Sequence, residues 1–169
     1  IEGGPPVDAR QRPTAAYEIV SAPYFATIDL PIVAGRSFTA QDRADSVGVC
    51  TVNEAFVRRY LRGKPAIGQR LALRPPESTD AKPVVKEVVG VAAQVKSRPD
   101  ETEDVVQIYL PLAQNPIDDI YMVVRPASGS AAALASSVRA AIGRVDKEQL
   151  VSVRDVMTLE DVAWDASAR

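Results

Sequence analysis

Arg58, Arg59, Arg62 and Lys64 place four cations within seven residues, the densest cluster of positive charge in the chain. Such a group could take a phosphate, a nucleic acid or an acidic protein surface. Few aromatic residues accompany it, so a stacking platform for single-stranded nucleic acid is not expected. Two readings stand: the solvated face of an amphipathic helix, or a docking surface for an acidic partner. Gly63-Lys64 has the ending of a phosphate-binding loop, but the upstream glycine is missing at the required spacing. The pair also follows a helix instead of opening one, and the carbonyls at a helix C-terminus repel phosphate.

The rest of the chemical inventory is thin. There is no histidine, which removes the commonest general base and the commonest metal ligand. The single cysteine, Cys50, excludes an internal disulfide and a cysteine zinc site. It lies inside the apolar run VGVCTV and reads as a buried structural thiol. Asp100, Glu101, Glu103 and Asp104 lack the fixed loop pattern and turn glycine of a calcium site, and read as a solvated loop. Asp118-Asp119 reads as a polar turn. Tyr24-Phe25 and Trp164 read as core residues. No catalytic residue, metal or cofactor is therefore expected. A net charge of −2 gives no overall field to attract nucleic acid or an anionic membrane.

The elements that must position these residues follow from periodicity. With 46% apolar and 25% charged residues the chain can build a core. Strands are expected at Ala15–Ser21, Val47–Val52, Gln69–Arg74, Val105–Leu110 and Ile120–Arg125. Pro31–Phe38 reads as extended and broken at Gly35, and Pro23–Ile28 as a short helix. Val84–Val95 reads as a long strand, apolar on both faces at Val88-Val89-Gly90-Val91. Asn53 can cap a helix whose apolar face is Phe56, Val57, Tyr60 and Leu61, with Glu54 and Arg58 at i, i+4 on the other face. Leu134, Val138, Ile142 and Val145 mark a longer helix. A short strand at Gln149–Val153 and a last helix capped at Thr158, with Asp161 completing the capping signal, complete the reading. Strands and helices in this irregular order indicate an α+β fold, a mixed sheet with helices on one face.

One succession of short strings is recognisable. Val20-Ser21-Ala22-Pro23-Tyr24-Phe25 leads to Pro31-Ile32-Val33-Ala34-Gly35-Arg36-Ser37-Phe38-Thr39-Ala40-Gln41-Asp42. Then come Val52-Asn53-Glu54-Ala55-Phe56, Ile67-Gly68-Gln69-Arg70-Leu71, Val88-Val89-Gly90-Val91 and Tyr109-Leu110-Pro111-Leu112-Ala113-Gln114. In order and spacing they resemble the MacB-like periplasmic core domains of bacterial ABC transporter permeases. Two positions depart from that pattern: Asp29 stands where a glycine is usual, and Ala93-Gln94 replaces a common Gly-Asp.

The resemblance implies a non-catalytic extracytoplasmic domain of a permease, at the periplasmic or extracellular face of the inner membrane, that contacts partner proteins or relays motion. Its implied partners are the rest of the permease, a separate ATPase subunit or domain, and envelope proteins, with no nucleic acid. It also implies two lobes, a porter-like one of residues 1–22 with 117–169 and an inserted one of 23–116. The ends, Ile1-Glu2-Gly3-Gly4 and Asp165-Ala166-Ser167-Ala168-Arg169, read as cut from a longer protein. Membrane attachment is then expected through flanking spans, and the 15–21 strand is expected to border an open sheet edge or to be covered by another copy. The alternative class is a small-molecule sensor or solute-binding module, which would need an apolar pocket with convergent polar groups. A hydrolase working with carboxylates alone would need an acidic pair facing across a cleft, and no motif supplies one. The missing phosphate loop predicts that the chain does not bind ATP. Titration calorimetry with Mg-ATP is expected to show no heat of binding, and micromolar affinity would contradict this reading.

Overall fold

In the computed structural model, which describes residues 13–74, 82–94, 104–145 and 157–159, the apolar run around Val88 becomes the middle of a six-stranded sheet. This strand, β5 (Val84–Ala92), lies parallel to β3 (Val49–Asn53) on one side. On its other side β4 (Arg70–Leu73) and β2 (Ile32–Gly35) pair antiparallel with successive parts of its length. β6 (Gln107–Pro111) runs antiparallel to β3, and β1 (Ala16–Val20) runs parallel to β6. The order is β1-β6-β3-β5-β2, with β4 beside β5. The mixed α+β sheet is the expected one.

Alternate side chains along the strands supply two cores, one on each face. Cys50, Val52, Val88 and Ile108 pack with Phe56 and Leu61. Val49, Val89 and Tyr109 pack with Val20, Phe25 and Phe38. Phe25 arrives on the short helix α1 (Tyr24–Thr27) and meets the Tyr109 ring edge-on at 5.1 Å. Phe56 and Leu61 arrive on α2 (Glu54–Phe56) and the π turn Val57–Leu61 that continues it. Short helices thus cover both faces instead of the single face expected, because β3 and β5 are apolar on both sides and each side must be kept from water.

The β2–β5 contact depends on two glycines in register, Gly35 and Gly90. A Cβ on Gly90 would lie 2.4 Å from the Arg36 carbonyl oxygen, and one on Gly35 would lie 2.2 Å from the Val89 carbonyl oxygen. Gly35 also has φ +73, a left-handed conformation that strains other residues. This close approach launches the following loop, and Arg36 ties it down. The Arg36 guanidinium donates to both oxygens of the Asp42 carboxylate at 2.8 Å, and the Thr39 N–H donates to the same group.

The described residues form two compact units. Residues 13–94 and 104–123 make the first, which holds the whole sheet. The second holds 124–145 and 157–159, with α3 (Ala131–Val145) where the helical periodicity placed it. Two expectations need correction. The strand expected to group with residues 117–169 instead sits in the first unit's sheet: Ala16–Val20 pairs along its full length with Gln107–Pro111. Ile120–Arg125, expected as a strand, joins no ladder and leaves Ile120, Tyr121, Met122 and Val124 exposed. Its alternating composition suits a pleated surface, but a strand needs a neighbouring strand, and no described strand forms a ladder with this segment. The strand read at Gln149–Val153, the body of the last helix and Trp164 lie outside the described residues.

The Arg36–Asp42 pair sets an acid dependence. Its hydrogen bond from Arg36, with help from Thr39, holds the Asp42 carboxyl below the usual carboxylate range despite burial of the residue. A depressed folded-state pKa contributes stability that is present above the unfolded value of about 4 and is lost as pH falls through the folded value. Asp42→Asn is expected to lower the urea midpoint at pH 7 and to flatten the acid limb between roughly pH 5 and pH 2. Acid limbs of equal slope in the two proteins would show that the pair contributes nothing.

Candidate functional site

The basic cluster sits on α2 and the π turn, and its position is set by one buried amide. The Asn53 side chain caps the helix, accepting from the Phe56 N–H at 3.0 Å through Oδ1. The same oxygen accepts from the Gln107 N–H at 3.1 Å. Its Nδ2 donates to the Val105 carbonyl at 2.7 Å and to Gln94 Oε1 at 3.0 Å. Asn53 is only 2% exposed, and its two donor and two acceptor positions are all used. Gln94 is held in turn by Glu54, whose carboxylate accepts the Gln94 N–H, while Gln94 Oε1 accepts from the Ala55 N–H. The helix start and the segment entering β6 are therefore locked to each other.

Beyond Phe56 the helix widens. The Arg62 N–H reaches the Val57 carbonyl at 3.3 Å, five residues back. Arg62 then turns left-handed (φ 46), Gly63 follows at φ 87, and the Lys64 N–H closes onto the Leu61 carbonyl at 3.0 Å. The wide turn is anchored by Tyr60, whose ring packs edge-on against Phe56 at 5.1 Å and whose hydroxyl donates to the Thr14 carbonyl just ahead of β1.

Two adjoining hollows open between these walls. One, of about 420 Å³, lies between the head of β1 (Thr14, Ala15, Ala16), the Asp104–Val106 segment and Arg59. The other, of about 320 Å³, is bounded by Ala55, Arg58, Arg59, Asp104 and Val106. Arg58 and Arg59 thus share one site, but in different roles. Arg58 is paired with Asp104. Arg59 makes no ion pair among the described residues and rests 5.9 Å from the centre of the Tyr60 ring, a cation–π distance. Arg62 and Lys64 stand at the helix end and line neither hollow.

Sequence reasoning missed Asp104 as part of this site, having placed it with Asp100, Glu101 and Glu103 in a solvated loop; those three lie outside the described residues. Its partner is 46 residues away, beyond any local pattern. Glu54 and Arg58, at helical spacing, turn to different partners, Gln94 and Asp104. Cys50 is buried in the core on the α2 face, and burial pushes its thiol up to about 12, far from a nucleophilic thiolate. On the opposite face burial, with the nearby Glu18 carboxylate, likewise pushes the Tyr109 hydroxyl up to about 12.

The fold and this site define a class: an α+β domain whose buried polar groups serve its own architecture and whose basic hollow faces solvent. The chain belongs to the MacB-like periplasmic core domain family, which matches residues 3–141. Domains of this family stand on the extracytoplasmic side of the inner membrane. The fold is similar to the periplasmic region of MacB from Actinobacillus actinomycetemcomitans, with TM-score 0.54 and 16% identity over 78% of this chain. The chain spans 56% of that structure. A second similar structure is the extracellular domain of the noncanonic ABC-type transporter YknZ from Gram-positive bacteria, at TM-score 0.41 and 17% identity, covering 59% of this chain and 43% of that one. No curated protein matches the sequence. Among the described residues no helix is long and apolar enough to cross a membrane.

The Asn53 hydrogen bonds carry a stability prediction. Asn53→Ala would leave the Phe56 and Gln107 N–H groups and the Val105 carbonyl without their partner in a buried setting. A loss of about 3 kcal/mol is expected in urea unfolding. A loss under about 1 kcal/mol, a typical single surface cap, would show that the four bonds do not act together.

Proposed function

We propose that this chain is a non-catalytic extracytoplasmic part of an ABC-type permease, and that it works by contacting a partner protein at the basic hollow. The observation that carries this reading is the division of polar groups in the first unit. Asn53, Gln94, Glu54 and Asp42 are spent on internal hydrogen bonds, whereas Arg59 lines a solvent-open hollow and makes no ion pair with any described carboxylate. A charge left unpaired at the mouth of a depression favours an oppositely charged partner and speeds its encounter. Arg62 and Lys64 extend the same field from the helix end. The membrane-embedded remainder of the permease and an ATPase subunit or domain complete the assembly, and the domain relays motion between them and the exterior partner. The solute-binding alternative needs an enclosed apolar pocket, and the hollows at this site are open and bordered by Arg58, Arg59 and Asp104.

A photoreactive residue at position 59 of the full-length permease is expected to form, in membranes, an adduct with a second polypeptide. The same probe at the exposed Val84, on β5, is expected to form none. Equal labelling from the two positions, or none from position 59, would refute the docking role.

A further inference from the structure

The head of β1 borders the basic hollow, and β1 is also the end of the sheet formed by the described residues. The Ala16 N–H donates to the Val106 carbonyl at 2.9 Å, so the peptide groups of Ala16 face β6. Peptide groups alternate in direction along a strand, which turns the N–H and C=O of Tyr17 and Ile19 away from β6. No strand among the described residues receives them. A row of unpaired edge groups is a template for one more strand.

The side chains around this edge say what that strand should carry. Ala15 packs against the core beneath α2, and Tyr17, two residues on, projects from the same face and is 46% exposed. Arg59 lies on this face, at the β1 head. Two described carboxylates nearby are already engaged. Asp104 is paired with Arg58, and Glu18 accepts from the Tyr24 hydroxyl on the opposite, α1 face. A strand laid along β1 would thus set every second side chain over Tyr17 and toward Arg59, with Arg62 and Lys64 adding to the positive field.

We propose that β1 accepts an extended acidic segment of a partner polypeptide as an added strand, its backbone paired with Tyr17 and Ile19 and a carboxylate held by Arg59. This deepens the docking reading above and rests on it.

The test uses the whole 169-residue chain and two capped pentapeptides, acetyl-Glu-Val-Glu-Val-Glu-amide and its Lys-Val-Lys-Val-Lys counterpart. The acidic peptide is expected to bind at least about tenfold more tightly than the basic one, with an affinity that falls as salt rises. Arg59→Glu and Tyr17→Pro are each expected to weaken it about tenfold, the first through charge and the second by removing an outward donor while leaving the Ala16 and Glu18 ladder bonds. Hydrogen exchange on the unaltered chain gives a readout that does not depend on a variant folding: the Tyr17 and Ile19 amides should become protected when the acidic peptide is added. Binding that is lost in Arg59→Glu but leaves Tyr17→Pro and both amides unaffected would overturn strand addition and leave the basic docking surface standing. Failure of both peptides to bind would overturn the proposal, as would chain that sediments with phosphatidylglycerol vesicles but ignores the acidic peptide.

Discussion

The described sheet is organised around a buried amide that must find four hydrogen bonds. Asn53 ends β3 at the point where the chain turns into α2, and a polar side chain there costs stability unless every donor and acceptor is met. Meeting them draws in the Phe56 N–H from the helix, the Gln107 N–H and Val105 carbonyl from the entry to β6, and Gln94 from the exit of β5. Three consequences follow from one residue: the helix starts where it does, β6 is held at its register beside β3, and the Asp104–Val106 segment faces the arginines across a gap. The basic hollow is the space left between parts that Asn53 pins.

The other recognisable strings do similar work. Gln114 closes the 43–49 loop, accepting from the Val49 N–H and donating to Arg43 and Val47 carbonyls and the Ser46 hydroxyl. Arg36, Thr39 and Asp42 close the loop after β2. Gly35 and Gly90 let β2 and β5 approach more closely than any side chain would permit. The two departures from the family pattern are also structural. Asp29 adopts φ 55, the left-handed conformation for which a glycine is the usual choice, and aspartate is among the few other residues that tolerate it. Gln94, where an aspartate is common, supplies the oxygen that Asn53 and the Ala55 N–H both use. Several of the residues that make the family recognisable are thus committed to holding the chain's own loops and strands together.

This division makes the sheet and its loops a stiff frame. Loops closed by bidentate and multiply bonded side chains resist deformation, because moving them breaks several hydrogen bonds at once.

The sequence by itself determined what depends on neighbours a few residues apart. The Asn53 cap, the amphipathic helix after it, the apolar centre of β5 and α3 rest on residue types that are legible in order along the chain. Tertiary structure alone decided what depends on distant partners. Nothing near Arg58 in the sequence marks Asp104, 46 residues on, as its counter-ion, and nothing near Asn53 announces partners 41 to 54 residues away. Likewise Ala16–Val20 and Ile120–Arg125 have similar alternating composition, yet one joins β6 and the other joins no ladder. Periodicity reports which side chains can share a face. Pairing is settled by long-range hydrogen bonding and burial, which local pattern does not encode.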